Sequence, residues 1–141
     1  MKVFFDANAF LKVLKKEKGY EKVAEWLIKM TNGEHDGYTD TIVIAEIVYA
    51  FLSQGLDDEA VEARAYIERI PNLTIIEEVP TSISHRGAEL EKKYFKRAGK
   101  TFFSLYDSIH LALAEQSSDI ILTSDSDFRV LQKLRSNLSR N

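Results

Sequence analysis

Met1-Lys2-Val3-Phe4-Phe5-Asp6-Ala7-Asn8 is the stretch that decides how the rest of the chain reads. Val3-Phe4-Phe5 is a short apolar run of strand-forming residues, and Asp6-Ala7-Asn8 ends it with two side chains able to cap a helix. The helix expected behind it carries Phe10, Leu11 and Leu14, and Gly19 breaks it. A strand that hands over to a helix through an acid is the start of an α/β unit. Open α/β sheets bind ligands outside the carboxyl ends of their strands, so the acid sits where chemistry is done.

Working outward, Tyr20, Val23, Ala24, Leu27 and Met30 have helical spacing, and Asn32-Gly33 stops that helix. Gly37-Tyr38-Thr39 is a weak strand. Thr41 to Ser53 reads as a helix with Ile44, Val48 and Phe51 on one side and Glu46 in its first two turns. Asp57-Asp58 opens another helix, whose stripe is Ala60, Ala63, Ile67 and Ile70, and Pro71-Asn72 ends it. Leu73-Thr74-Ile75-Ile76 is a strand, and a long helix from about Ser82 to Arg97 follows. Ser104 opens a helix with Leu105, Ile109, Ala112 and Leu113 toward the core. Ile120-Ile121-Leu122-Thr123 is the last strand, and Asp125-Ser126-Asp127-Phe128 leads into a final helix. Alternating strands and helices predict a central, mostly parallel sheet covered on both faces. Two successive helices between residues 41 and 70 make it an α/β/α sandwich with a helical insertion.

At 141 residues the chain is read as one domain, its core over about 3–131 and a basic C-terminal helix and tail to 141. A domain of this size buries roughly 68–70 % of its unfolded surface and needs no staples. Cysteine is absent, which excludes disulfides and thiolate metal sites and fits a reducing, cytoplasmic setting. No apolar run approaches the ~18 residues of a membrane helix, and the start turns polar too soon for a signal peptide. A net charge of −3 argues against coating nucleic acid by bulk electrostatics. The bases are nevertheless clustered: Lys92, Lys93, Lys96, Arg97 and Lys100 lie in a stretch without an acid. Such a run is ordinarily a solvated helix face. Here Phe102, Phe103 and Tyr106 follow it, and lysines with aromatics are what a single-stranded RNA path requires. Lys12, with Lys15 and Lys16, is a second, weaker candidate.

Asp6, Glu46, Asp107 and Asp125 all fall where strands hand over to helices or early in the helices themselves. Each has an ordinary structural role open to it. Asp6 can cap its helix, Asp107 and Asp127 stand three residues after Ser104 and Ser124 as in a capping box, and Glu46 can face solvent. Glu46 is the least easily dismissed, because Val43, Ile44, Ala45, Ile47 and Val48 surround it and a buried carboxylate is costly unless paired or bound to metal. Carboxylates gathered at one edge repel one another unless a cation neutralises them, and hard oxygen donors suit Mg²⁺ or Mn²⁺. His110, one turn beyond Asp107, reads as a packed and hydrogen-bonded core residue or, less simply, as a catalytic group. His35 and His85 have no metal-ligand spacing.

With those residues in view, the chain resembles the PIN-domain ribonucleases, most closely the VapC-type toxins of prokaryotic toxin–antitoxin pairs. The resemblance runs from Val3 to about Leu131. It rests on the strand ending in Asp6-Ala7-Asn8, on Ile44-Ala45-Glu46-Ile47, on Tyr106-Asp107-Ser108-Ile109-His110-Leu111-Ala112 and on Leu122-Thr123-Ser124-Asp125-Ser126-Asp127-Phe128. The resemblance implies a catalytic set of Asp6, Glu46, Asp107 and Asp125. Asp6 and Asp107 would be the principal metal ligands, Glu46 and Asp125 ligands to the metal or its water, and Asp127 a further ligand or only a cap. Asn8 and Thr123 would orient the ligands or the water from behind. It further implies endonucleolytic RNA cleavage leaving a 5′-phosphate and a 3′-hydroxyl, a homodimer, and a cognate antitoxin that lays an amphipathic helix on an apolar surface. Trp26 and Ile28 leave the helix of residues 20–31 apolar around much of its circumference, which suits either packing against two neighbours or such an interface.

Other classes fit less well. A haloacid-dehalogenase-type phosphatase also uses an early strand-end Asp, but it places a second Asp where this chain has Asn8. A response-regulator receiver needs paired acids at the first strand and a lysine after the last. A non-catalytic PIN-like module for RNA or protein binding would be favoured by loss of an acid, and each acid is present.

Overall fold

A computed structural model describes residues 1–98 and 105–123, the side chains of 94–98 excepted. Its core is a four-stranded sheet of β1 (Lys2–Phe5), β2 (Asp36–Asp40), β3 (Leu73–Ile76) and β4 (Ile120–Leu122) in the order β3-β2-β1-β4. Every pairing is parallel, with Val3 opposite Gly37 and Ile120, and Phe5 opposite Leu122. Among the described residues the helices are α1 (Ala7–Leu14), α2 (Tyr20–Thr31), α3 (Thr41–Leu52), α4 (Asp57–Glu68), α5 (Thr81–Ala98) and α6 (Leu105–Ser117). The expected α/β/α architecture and its inserted helix pair are present.

β1 is a continuous apolar run because both its faces are covered, and Val3, Phe4 and Phe5 are all fully buried. β2 has almost no hydrophobic character of its own. Its place is fixed by its two parallel neighbours and by the buried Thr39, whose hydroxyl donates to the Phe5 carbonyl at 2.9 Å. Because β2, β1 and β4 are neighbours and parallel, Asp40, Asp6 and Thr123 arrive at one edge of the sheet.

α3 turns differently from the expectation. The residues it buries are Val43, Ile47 and Phe51, while Ile44 and Val48 are only partly covered. An apolar run almost all round a helix has no sharp period, so the cap and the site decide its rotation rather than the stripe. On α2, Trp26 is half-buried and stacks on His35 with ring centroids 5.1 Å apart, whereas Ile28 is exposed.

α6 carries two of the site residues and is held against α5. Arg86 pairs with Glu115 at 3.1 Å, and the Ser108 hydroxyl donates to Glu91 at 2.8 Å. Gly87 permits the close approach: a Cβ there would lie 3.2 Å from the Ile109 Cα, a backbone atom that cannot swing aside. Gly87→Ala is therefore expected to cost about 1–3 kcal/mol of stability by overpacking. A chemical-denaturation curve checks it, and a variant as stable as the parent would show that α5 and α6 can separate freely.

Candidate active site

Asp6 ends β1 and caps α1. Its Oδ1 accepts the Ala7 N–H at 2.7 Å, and its Oδ2 accepts the Thr123 hydroxyl at 3.1 Å. Its own N–H donates to the Leu122 carbonyl at 2.9 Å, which ties the end of β1 to β4. The side chain is buried, and burial raises its pKa from the ordinary 3.8 to about 6. His110 works against that rise. Asp107 adds to it, the Ala7 N–H lowers it, and Glu46 raises it a little further. Asp6 is both a helix cap and a crowded carboxylate.

The residue sequence reasoning missed is Asp40. It is fully buried at the end of β2, caps α3 by accepting the Val43 N–H at 2.8 Å, and faces His110 Nδ1 through its other oxygen at 2.5 Å. His110 Nε2 faces Glu46 Oε1, also at 2.5 Å. Carboxylates only accept, so both ring nitrogens donate and the ring carries a positive charge. Burial opposes that charge, but the hydrogen bonds to Asp40 and Glu46 outweigh it, and with the charges of Asp40 and Asp6 they raise the pKa from 6.5 to about 10. The readable signal for Asp40 was its position, immediately before the apolar helix that begins at Thr41.

Asp107, half-buried in the first turn of α6, comes close to Asp6 and His110. Ligand atoms of the three residues all lie within 4.8 Å of one another. His110 has no lone pair to offer a metal while both its nitrogens donate, so the oxygens of Asp6 and Asp107 remain. An all-oxygen, negatively charged donor set suits a hard divalent cation such as Mg²⁺ or Mn²⁺. The upward shift of Asp6 comes first from burial and then from the neighbouring Asp107, against the charge of His110. The donors therefore fit the ion.

Of the other predicted positions, Thr123 is buried against Asp6, and Asn8 is exposed in the first turn of α1. Glu46 is half-buried rather than enclosed, and His110 is its partner. Lys12 is half-buried, while Lys92 and Lys93 are exposed on α5. Lys15 sits over the Phe51 ring, 5.3 Å from its centre. Asp125, Asp127 and Lys100 lie outside the described residues, as do the side chains of Lys96 and Arg97.

A parallel sheet in the order β3-β2-β1-β4, with carboxylates meeting at its strand ends, defines a PIN-like α/β/α protein. The chain belongs to the PIN domain family, whose profile matches residues 3–134. Its fold is similar to that of VapC20 from Mycobacterium tuberculosis, described as a sarcin-ricin loop cleaving toxin. The TM-score is 0.71 and the identity 15 %, over 91 % of this chain and 93 % of that one. It is also similar to VapBC2 from Rickettsia felis, solved bound to a DNA fragment from their promoter, with a TM-score of 0.70 and 15 % identity over 93 % of each chain. No curated protein sequence matches the chain.

Proposed function

We propose that this chain is a divalent-metal-dependent endoribonuclease and the toxin of a type II toxin–antitoxin pair. The observation that carries the reading is the meeting of Asp6 and Asp107 at the carboxyl edge of a PIN-family sheet, with Glu46 close enough to perturb Asp6. The described toxins of the same fold support the biological role.

Asp6 and Asp107 would hold Mg²⁺ or Mn²⁺, with Glu46 and, from beyond Thr123, Asp125 and Asp127 completing the acidic set. Such an ion, when bound, lowers the pKa of water and stabilises charge on the attacked phosphate. The chain's own residues do the placing. The Thr123 hydroxyl and Ala7 N–H fix both oxygens of Asp6, and the Ser108–Glu91 bond beside Asp107 fixes the start of α6. Asn8, exposed two residues after Asp6, is placed to orient substrate or water. Lys92 and Lys93, with Lys12, Lys96, Arg97 and Lys100, would track the RNA backbone, and the exposed Leu105 and Tyr106 beside Asp107 offer a surface for an unstacked base.

The antitoxin would cover the apolar groove lined by Val13, Leu27, Ile28 and Tyr66, where Ile28 and Tyr66 are exposed. Among the described residues no helix is long and apolar enough to cross a membrane. A homodimer in the cytoplasm, folded as one domain over residues 1–141, completes the proposal.

The test is cleavage of a pool of structured and single-stranded RNAs by the purified protein. Cutting is expected in Mg²⁺ or Mn²⁺, is lost in EDTA, and returns when Mn²⁺ is restored. Cutting that survives EDTA contradicts metal dependence, and an active site that holds Mn²⁺ but cuts no RNA in the pool contradicts the nuclease reading.

A further inference from the structure

We propose that Asp40 and His110 form a buried relay that fixes Glu46 in the acidic site, with His110 a positioning residue withheld from the metal. The inference rests on the metal-nuclease reading above and assigns a role to two residues that reading does not use.

Three elements meet in the relay: Asp40 from the end of β2, His110 from α6 and Glu46 from α3. Asp40 and His110 are 0 % and 1 % exposed, so neither can exchange its partner for water. Asp40 is immobilised twice, by the Val43 N–H on one oxygen and by His110 on the other. The ring of His110 is further enclosed by Phe4, whose centroid is 6.2 Å away. Glu46 is the least enclosed member. Its side chain is about one-third exposed and has three rotatable bonds, so without a partner it would sample solvent. The bond from Nε2 to Oε1 anchors it and leaves Oε2 without a hydrogen-bond partner among the described residues. Proximity alone would have made His110 a third ligand with Asp6 and Asp107. Both of its ring nitrogens are already engaged, Nδ1 with Asp40 and Nε2 with Glu46, so a metal would have to break one of these bonds to reach it. Carboxylate–histidine pairs that orient metal ligands from outside typically change metal affinity or activity 10–100-fold when broken.

Asn reproduces a donor at the place of Nδ1, and Gln one at the place of Nε2. His110→Asn therefore keeps the Asp40 contact and loses Glu46, whereas His110→Gln keeps Glu46. Calorimetric Mn²⁺ titration should show His110→Asn weakened about 10–100-fold and His110→Gln nearer the parent. The double variant with Glu46→Gln should be no weaker than Glu46→Gln alone. Unchanged affinity in His110→Asn, or losses that multiply in the double variant, overturns the positioning role. Complete loss of binding in a folded His110→Asn, as expected of Asp6→Asn, would make His110 a ligand and overturn it too.

A second readout needs neither metal nor a His110 variant. In the metal-free protein, nitrogen NMR should find the Nε2 signal of His110 moved by Glu46→Gln far more than the Nδ1 signal, as the Nε2–Oε1 contact requires. An Nε2 signal indifferent to Glu46→Gln overturns the relay. A parent protein that binds Mn²⁺ and shows both results but cuts no RNA would sink the nuclease reading alone.

Discussion

Asp6→Asn is expected to abolish cleavage while making the metal-free protein more resistant to denaturation. The loss follows from the proposed role of Asp6 as a principal metal ligand. A metal contribution of several kcal/mol to the transition state corresponds to about 10³-fold or more in rate. The gain follows from the pKa. Asp6 is raised from 3.8 to about 6 in the fold, so its ionised form is disfavoured there relative to the unfolded chain. That penalty is absent below about 3.8, grows as pH rises to about 6, and is complete above it. The shift corresponds to about 3 kcal/mol at neutral pH in the absence of metal. Asn can still accept from the Ala7 N–H, so the cap of α1 survives the exchange. Urea unfolding at pH 7.5 should show the variant more stable than the parent, with the difference vanishing near pH 3.5. Mn²⁺ should stabilise the parent and not the variant. A variant less stable than the parent at both pH values would mean that the carboxylate serves the fold first.

His110→Ala has the larger structural consequence. It leaves Asp40 buried and facing Glu46 across an empty site, and breaking a buried ion pair from one side costs about 3–5 kcal/mol. Asp40 carries most of this, because Glu46 is about one-third exposed and can turn to water. The sign with pH is fixed by the direction of the shift. His110 is raised from 6.5 to about 10, so its contribution is fully present below about 6.5 and is lost as pH rises through about 10. The parent should therefore lose stability between those limits, and His110→Ala should lack that part of the decline. Denaturation midpoints at pH 6.5, 8 and 10 measure both effects. A flat profile in the parent would contradict a charged His110.

Most of the fold was legible because local signals agreed. The run Val3-Phe4-Phe5, the breaks at Gly19, Asn32-Gly33 and Pro71-Asn72, and the strand Leu73–Ile76 each state their element without help from elsewhere. Where tertiary structure overrides local pattern, the reading weakened. β2 is a strand because β1 and β3 flank it, which its sequence Asp36-Gly37-Tyr38-Thr39-Asp40 barely hints. The same polarity hid Asp40, an acid among polar residues that becomes fully buried only through its neighbours. The packed setting of His110 could be read from its apolar helix, where Ala112 and Leu113 are buried as expected, although Leu105 at the helix start is exposed rather than turned to the core. The partners of His110 could not be read so, since they stand 70 and 64 residues away. For Glu46 the apolar surroundings in sequence overstated its burial, because helix rotation, set by the Asp40 cap, leaves it half open. Asp6 and Asp107 were found as site candidates by position alone, and the fold brings them together.

In the proposed reaction, water attacks the RNA phosphate at a site whose carboxylates would hold the metal. Cleavage in ¹⁸O-labelled water, with mass analysis of the product ends, addresses it directly. The label should appear in a 5′-phosphate opposite a 3′-hydroxyl. Unlabelled 2′,3′-cyclic phosphate ends would mean that the RNA's own 2′-hydroxyl is the nucleophile, and would contradict the account.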